Sequence, residues 1–143
     1  MSNITLDSNI IIYAHDADSP FFEKAHALVI EALTKHSVFL SHQIYLEVYR
    51  ILTQKLRKPL KPAKAWELIS MYYQNTNVTT MLLRESTLQK VRALSEEYKI
   101  AGAPIFDVLL GVTMMEHKVL RLYTVNEKDF KFMKGIEVVN PVR

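Results

Sequence analysis

The chain has 143 residues, 49% of them hydrophobic and 23% charged, with a formal net charge of +3 and no Cys. That length fits one domain, residues 1–143, burying about 70% of its unfolded surface; the missing Cys excludes disulfide staples, thiolate metal sites and thiol nucleophiles. The start MSNITLDSN lacks the basic-then-apolar layout of a signal peptide and the longest apolar run, near VLLGVTMM, is too short to cross a bilayer, so a soluble cytoplasmic protein is expected.

In chain order, NITL reads as a short strand ending near Leu6, followed by a turn at Asp7, Ser8 and Asn9, all good helix caps. Ser19-Pro20 reads as a cap with Pro at the first helical position of FFEKAHALVIEALTKH, an amphipathic helix. SVFLS is a strand. HQIYLEVYRILTQKL is a helix with the apolar stripe Ile44, Val48, Ile51, Leu52 and Leu56, and RKPLKP breaks it. AKAWELISMYYQ is a helix, NVTTMLL a β-rich segment, RESTLQKVRALSEEYKI an amphipathic helix and AGAP a stop. FDVLLGVTMMEH is apolar on nearly every face, which predicts a central buried helix. VLRLYTV is a strand, NEKDFKF a helical turn and IEVVNP a closing strand. Strands separated by helices, without tight hairpins, predict a mainly parallel sheet with helices on both faces, an α/β three-layer fold.

In such sheets ligands bind beyond the carboxyl ends of the strands. Asp7 falls just past the first strand and Asp129 just past the strand containing Leu122 and Tyr123; Glu47 lies on the rim of the apolar stripe of its helix, and Asp107 opens the most apolar helix. A carboxylate beside a packed core must be hydrogen-bonded, paired or bound to a cation. Taken singly, each has an ordinary reading: Asp7 and Asp107 as helix N-caps, Glu47 as a partner of Arg50, Asp129 as a turn residue. Four such acids at one sheet edge instead suggest a pocket for hard cations. Carboxylate-held Mg²⁺ or Mn²⁺ suits phosphodiester hydrolysis, since it neutralises the phosphate and generates a hydroxide nucleophile near neutral pH. Mutual repulsion predicts at least one raised carboxyl pKa when the ion is absent.

Other chemistry is less supported. The five histidines show no paired-ligand spacing, neither Ser8 nor Ser41 has a nucleophile elbow around it, and three Gly leave no phosphate-binding loop. The stripe Trp66, Met71, Tyr72 and Tyr73 reads as helix packing before base stacking.

LDSNIIIYA, SHQIYLEVYRILTQKL, FDVLLGVTMMEHKV and YTVNEKDF followed by GIEVVNP together resemble, in this order and spacing, the PIN domain family, and within it the VapC-type toxins of toxin-antitoxin modules. The resemblance implies that Asp7, Glu47, Asp107 and Asp129 are acidic metal ligands and that Asn9, Thr124 and Asn126 orient them. It implies a metal-dependent endoribonuclease with an RNA substrate, a cognate antitoxin and a homodimeric state. Two departures stand out: many members carry Asp where this chain has Asn126, so the fourth acid is either Asp129 or missing from around the metal, and many carry Ala where it has Val108.

The basic run Arg50, Lys55, Arg57, Lys58, Lys61 and Lys64 begins beside Glu47. A solvated surface explains it equally well, yet RNA must be drawn past four carboxylates, and Arg50, Lys55 and Lys58 are the candidate phosphate contacts. Two further readings keep the fold and change the role: an RNA-processing nuclease without an antitoxin, and a non-catalytic RNA-binding module.

Overall fold

The computed structural model describes residues 2–143. Strands β1 (Asn3–Leu6), β2 (Ser37–Ser41), β3 (Val78–Met81), β4 (Arg121–Tyr123) and β5 (Glu137–Val139) form one sheet in the order β3-β2-β1-β4-β5. Every pairing in it is parallel. Between the strands run α1 (Ser8–Ala14), α2 (Phe22–Lys35), α3 (His42–Gln54), α4 (Pro62–Tyr73), α5 (Thr87–Glu97) and α6 (Ile105–Glu116), with a 3-10 helix at Glu127–Phe130. Among the described residues no helix is long and apolar enough to cross a membrane.

The central position of β1 follows from its sequence. Ile4, Thr5 and Leu6 are all fully buried, as a strand covered on both faces requires. Edge strand β3, by contrast, buries only Met81. The main core joins Ile4, Leu6, Val38, Leu40 and Leu122 of the sheet to Ile10 and Ile11 of α1, Ile44, Val48 and Leu52 of α3, and Met114 of α6. Each such side chain contributes roughly 1.5–3 kcal/mol by leaving water. A smaller cluster, Val91, Val108 and Val112, fastens α5 to α6.

The chain steps outward from β1 through β2 to β3, then restarts on the other side of β1 with β4 and β5. The switch in direction therefore opens a crevice at the carboxyl ends of β1 and β4. Asp7 and Thr124 are the first residues past those two ends, and the Asp7 N–H closes the gap by donating to the Tyr123 carbonyl at 2.9 Å.

Three local expectations are corrected. Pro20 does not begin a helix: α2 starts at Phe22, and Ser19 Oγ caps the preceding turn by accepting from the Phe21 N–H at 3.1 Å. Proline at the helix start occurs instead at Pro62 of α4, within the segment read as a break. Helix α6 is not buried all round; Val108, Val112 and Met114 face inward, whereas Phe106 and Met115 are exposed.

Candidate active site

Asp7 ends β1 and caps α1: its Oδ1 accepts from the Ser8 N–H at 2.8 Å. Its Oδ2 accepts from Thr124 Oγ1 at 2.7 Å and from Asn9 Nδ2 at 3.3 Å. The scaffold is closed from the far side of the switch point. Asn9 Oδ1 accepts from the Val125 N–H, and Thr124 Oγ1 accepts from the Asn126 N–H at 3.0 Å. Asn9 and Thr124 thus orient Asp7 through their side chains, while Asn126 acts through its backbone.

Glu47 reaches the same place from α3, whose start is fixed by Ser41 Oγ accepting from the Ile44 N–H. Ile44, Val48 and Leu52 pin one face of α3 to the core, which leaves Gln43, Glu47 and Arg50 on a flank. Asp107 stands in the first turn of α6, whose N-cap is Pro104. Capping therefore explains the Asp7 position in part and the Asp107 position not at all.

Asp7, Glu47 and Asp107 line one cleft of about 110 Å³ together with Ser41, Gln43, Met81, Leu83 and Phe106. Asp129, exposed on the 3-10 helix, does not line it, but its charge acts on both Asp7 and Asp107. All four sequence-selected acids thus share one electrostatic environment. Burial, then the charges of Asp7, Asp129 and Glu47, lift the Asp107 carboxyl from 3.8 to about 6. Burial also raises Asp7, against hydrogen bonds from Thr124, Ser8 and Asn9, and raises Glu47, with the Asp7 charge adding to it and Arg50 opposing. No ion pair joins Glu47 to Arg50 among the described residues.

These are hard oxygen donors with no cation paired to them among the described residues, the donor set that Mg²⁺ or Mn²⁺ takes. Among the described residues, no three His, Asp or Glu side chains are grouped closely enough to hold an ion by themselves. Mg²⁺ is suited to that arrangement, because it keeps several waters and needs only one or two direct carboxylates.

Arg50, Lys55 and Lys58 are exposed and make no ion pair among the described residues. Arg50 is on the flank of α3 that carries Glu47, whereas Lys55 and Lys58 follow the helix end, farther along the chain. Sequence reasoning passed over the apolar wall of the cleft, Met81, Leu83 and Phe106, because apolar residues at helix and strand ends read as core. It also passed over Glu116, buried in the last turn of α6.

The PIN domain model matches residues 4–135 of the chain. The chain is similar to ribonuclease VapC24 of Mycobacterium tuberculosis, with 25% identity over 141 residues covering 97% of each chain. It is also similar to ribonuclease VapC48 of that organism, with 26% identity over 140 residues covering 96% of each. The structure of Mycobacterium tuberculosis VapC20, a sarcin-ricin loop cleaving toxin, matches with a TM-score of 0.69 at 12% identity, over 90% of this chain and 92% of that one. VapBC-1 from nontypeable Haemophilus influenzae gives a TM-score of 0.68 at 16% identity, over 99% of both chains. At those identities the structural likeness speaks for the fold alone. A family match spanning most of the chain, on this fold, means that the chain belongs to the PIN domain family.

Proposed function

We propose that this protein is a divalent-metal-dependent endoribonuclease, the toxin of a toxin-antitoxin pair. The observation that carries the reading is the gathering of Asp7, Glu47 and Asp107 in one cleft at the sheet's switch point, where burial and the charges of Asp7, Asp129 and Glu47 lift the Asp107 carboxyl to about 6. Similarity to two proteins named as ribonucleases supports the substrate class.

Asp7, Glu47 and Asp107 would hold Mg²⁺ or Mn²⁺, one or two of them directly and the rest through the ion's waters. When bound, the ion supplies Lewis acidity toward a phosphate oxygen and lowers the pKa of water. The protein's own part is positional. Thr124 and Asn9 hold Asp7 Oδ2 and the Ser8 N–H takes one lone pair of Oδ1, so Oδ1 is the oxygen with capacity left for a cation. Arg50, on the flank of Glu47, supplies a cationic contact for the phosphate backbone, and Lys55 and Lys58 extend it. Similar folds occur in a toxin-antitoxin complex from Klebsiella pneumoniae and in VapBC2 from Rickettsia felis bound to a DNA fragment from their promoter. A cognate antitoxin and a homodimer would cover exposed apolar side chains such as Leu46, Met71 and Leu88.

The test is incubation of the purified protein with structured RNAs and Mn²⁺ or Mg²⁺, with the new ends mapped. Internal cleavage that stops with chelator and returns with the ion supports the reading; no cleavage, with intact folding and metal present, overturns it. Arg50→Glu or Lys58→Glu should weaken RNA binding and flatten its dependence on salt by about one ion released per lost contact. An unchanged slope would leave those cations as plain surface.

A further inference from the structure

The cleft combines two chemistries. Its lining includes the carboxylates of Asp7, Glu47 and Asp107 and the apolar side chains of Met81, Leu83, Phe106, Leu109 and Leu110. Met81 and Leu110 are buried, as core residues should be, but Phe106 is 55% exposed and Leu83 is 63% exposed. Among the described residues Phe106 belongs to neither core cluster and pairs with no other aromatic ring, unlike Trp66, whose ring lies tilted 4.7 Å from that of Tyr49, or Tyr73, which meets Tyr45 edge-on. Its neighbour in the chain is Asp107. The first turn of α6 thus presents a carboxylate and a free aromatic ring side by side at one opening.

We infer that Phe106, with Leu83 beside it, is a stacking platform for an unpaired base next to the phosphate that the acids engage. The inference rests on the ribonuclease reading above and names a specificity residue for it. Apolar and acidic residues line the same cleft, so a fitting occupant joins a flat apolar body to an anionic group that carboxylates reach through a cation. A nucleotide has that constitution. Its base must be unpaired and turned out of its stack, because inside a helix both faces of a base are already covered. Leu83 supplies contact area and excludes water, while the ring supplies the face-to-face contact that any base accepts, so the preference is for accessibility more than for base identity.

The experiment uses the full chain and a short single-stranded RNA carrying 2-aminopurine at each position in turn, bound in Ca²⁺ in place of Mg²⁺ to hold back turnover. Stacking on Phe106 should quench the fluorescence at one position; Phe106→Ala and Phe106→Leu should both abolish the quench and weaken binding about 5- to 150-fold, while Phe106→Tyr retains both. With Mn²⁺, kcat/KM for cleavage should fall over the same range in the Ala and Leu variants. An abasic nucleotide at the quenched position should harm the wild type and add nothing to Phe106→Ala, as a shared contact requires. Phe106 is exposed, so unchanged melting temperatures are expected.

A quench that survives Phe106→Ala, a Leu variant as effective as wild type, or an abasic penalty equal in both proteins would overturn the inference. So would a Phe106→Ala variant that differs only in binding an apolar protein segment, which would make the wall a protein-docking face. Cleavage failing in the wild type while the Phe106-dependent quench persists would fault the ribonuclease reading and leave the platform standing.

Discussion

Helix α6 carries a carboxylate at each end, and the two are opposites. Asp107 in the first turn lies where the helix dipole favours negative charge; Glu116 in the last turn lies where the dipole opposes it. The dipole alone would lower the first pKa and raise the second. The structure has the reverse. Burial and three neighbouring acids lift Asp107 to about 6. Against the upward push of burial, hydrogen bonds from Thr87 at 2.5 Å, Ser86 at 2.7 Å and Lys90 at 3.1 Å bring Glu116 down to about 2. Local partners outweigh the macrodipole at both ends. A satisfied buried carboxylate is a structural tie, here between α5 and α6; an unsatisfied one beside other acids is a place for a cation.

The sharpest way to break that comparison is to neutralise each end. Asp107→Asn should lower metal-dependent cleavage by about 100-fold or more and weaken Mn²⁺ binding, with the metal-free protein as stable as wild type or more so, because a repelled charge has been removed. Turnover and calorimetric Mn²⁺ titration check it, and wild-type cleavage would sink the proposed site. Glu116→Ala should do the opposite. It strands the partners of a side chain that is only 2% exposed and should cost about 2–4 kcal/mol of stability in denaturant titrations, with cleavage by the folded fraction retained. A loss under about 1 kcal/mol would mean the tie contributes little.

The contrast also marks what was legible in the sequence. Asp7, Glu47, Asp107 and Asp129 could be selected because each stands at the edge of an apolar segment or stripe, and the parallel sheet follows from strands alternating with helices. Glu116 could not. Its partners lie 26 to 30 residues away on α5, and nothing local in MMEHK separates a buried Glu from a solvated one. The end of α6 was legible to within one residue, at His117, without the glycine that usually marks such a stop: Lys118 takes the left-handed conformation, φ 58°. Pro20 misled because Ser-Pro marks a tight turn as readily as a helix start. The exposure of Phe106 was invisible because an all-apolar helix has no periodicity to say which side faces water.

The pH dependence of stability should show both ends of α6 at once. An acid whose folded pKa exceeds its unfolded value favours folding while protonated, so the metal-free protein should lose stability as pH rises from about 4 through about 6, where Asp107 ionises. Asp7 and Glu47, also raised, act in the same direction. Glu116 has the other sign: its contribution is present above 4.5 and fades as pH falls toward about 2. Melting temperature in chelator should therefore peak in mildly acidic buffer, and saturating Mn²⁺ should remove the decline toward neutral pH by binding the ionised acids. A melting temperature in chelator that climbs steadily to neutrality would contradict the account of the cleft.

The smallest effect separates the parts of the Glu116 tie. Lys90 is 56% exposed at its side chain, so its ion pair with Glu116 is partly screened by water. Thr87 is buried, donates to Glu116 Oε1 and accepts from the Arg84 N–H at 2.8 Å, which makes its hydroxyl the link between the start of α5 and the end of α6. Lys90→Ala should therefore cost only about 0.5–1 kcal/mol. Thr87→Val, of nearly the same shape, leaves a buried carboxylate oxygen and a backbone donor without their partner and should cost about 1–3 kcal/mol. Raised salt should shrink the Lys90 effect and leave the Thr87 effect in place. If the lysine variant proves the more damaging, Glu116 is held by charge and not by the hydroxyls, and the two ends of α6 differ in the sign of their neighbours' charge alone.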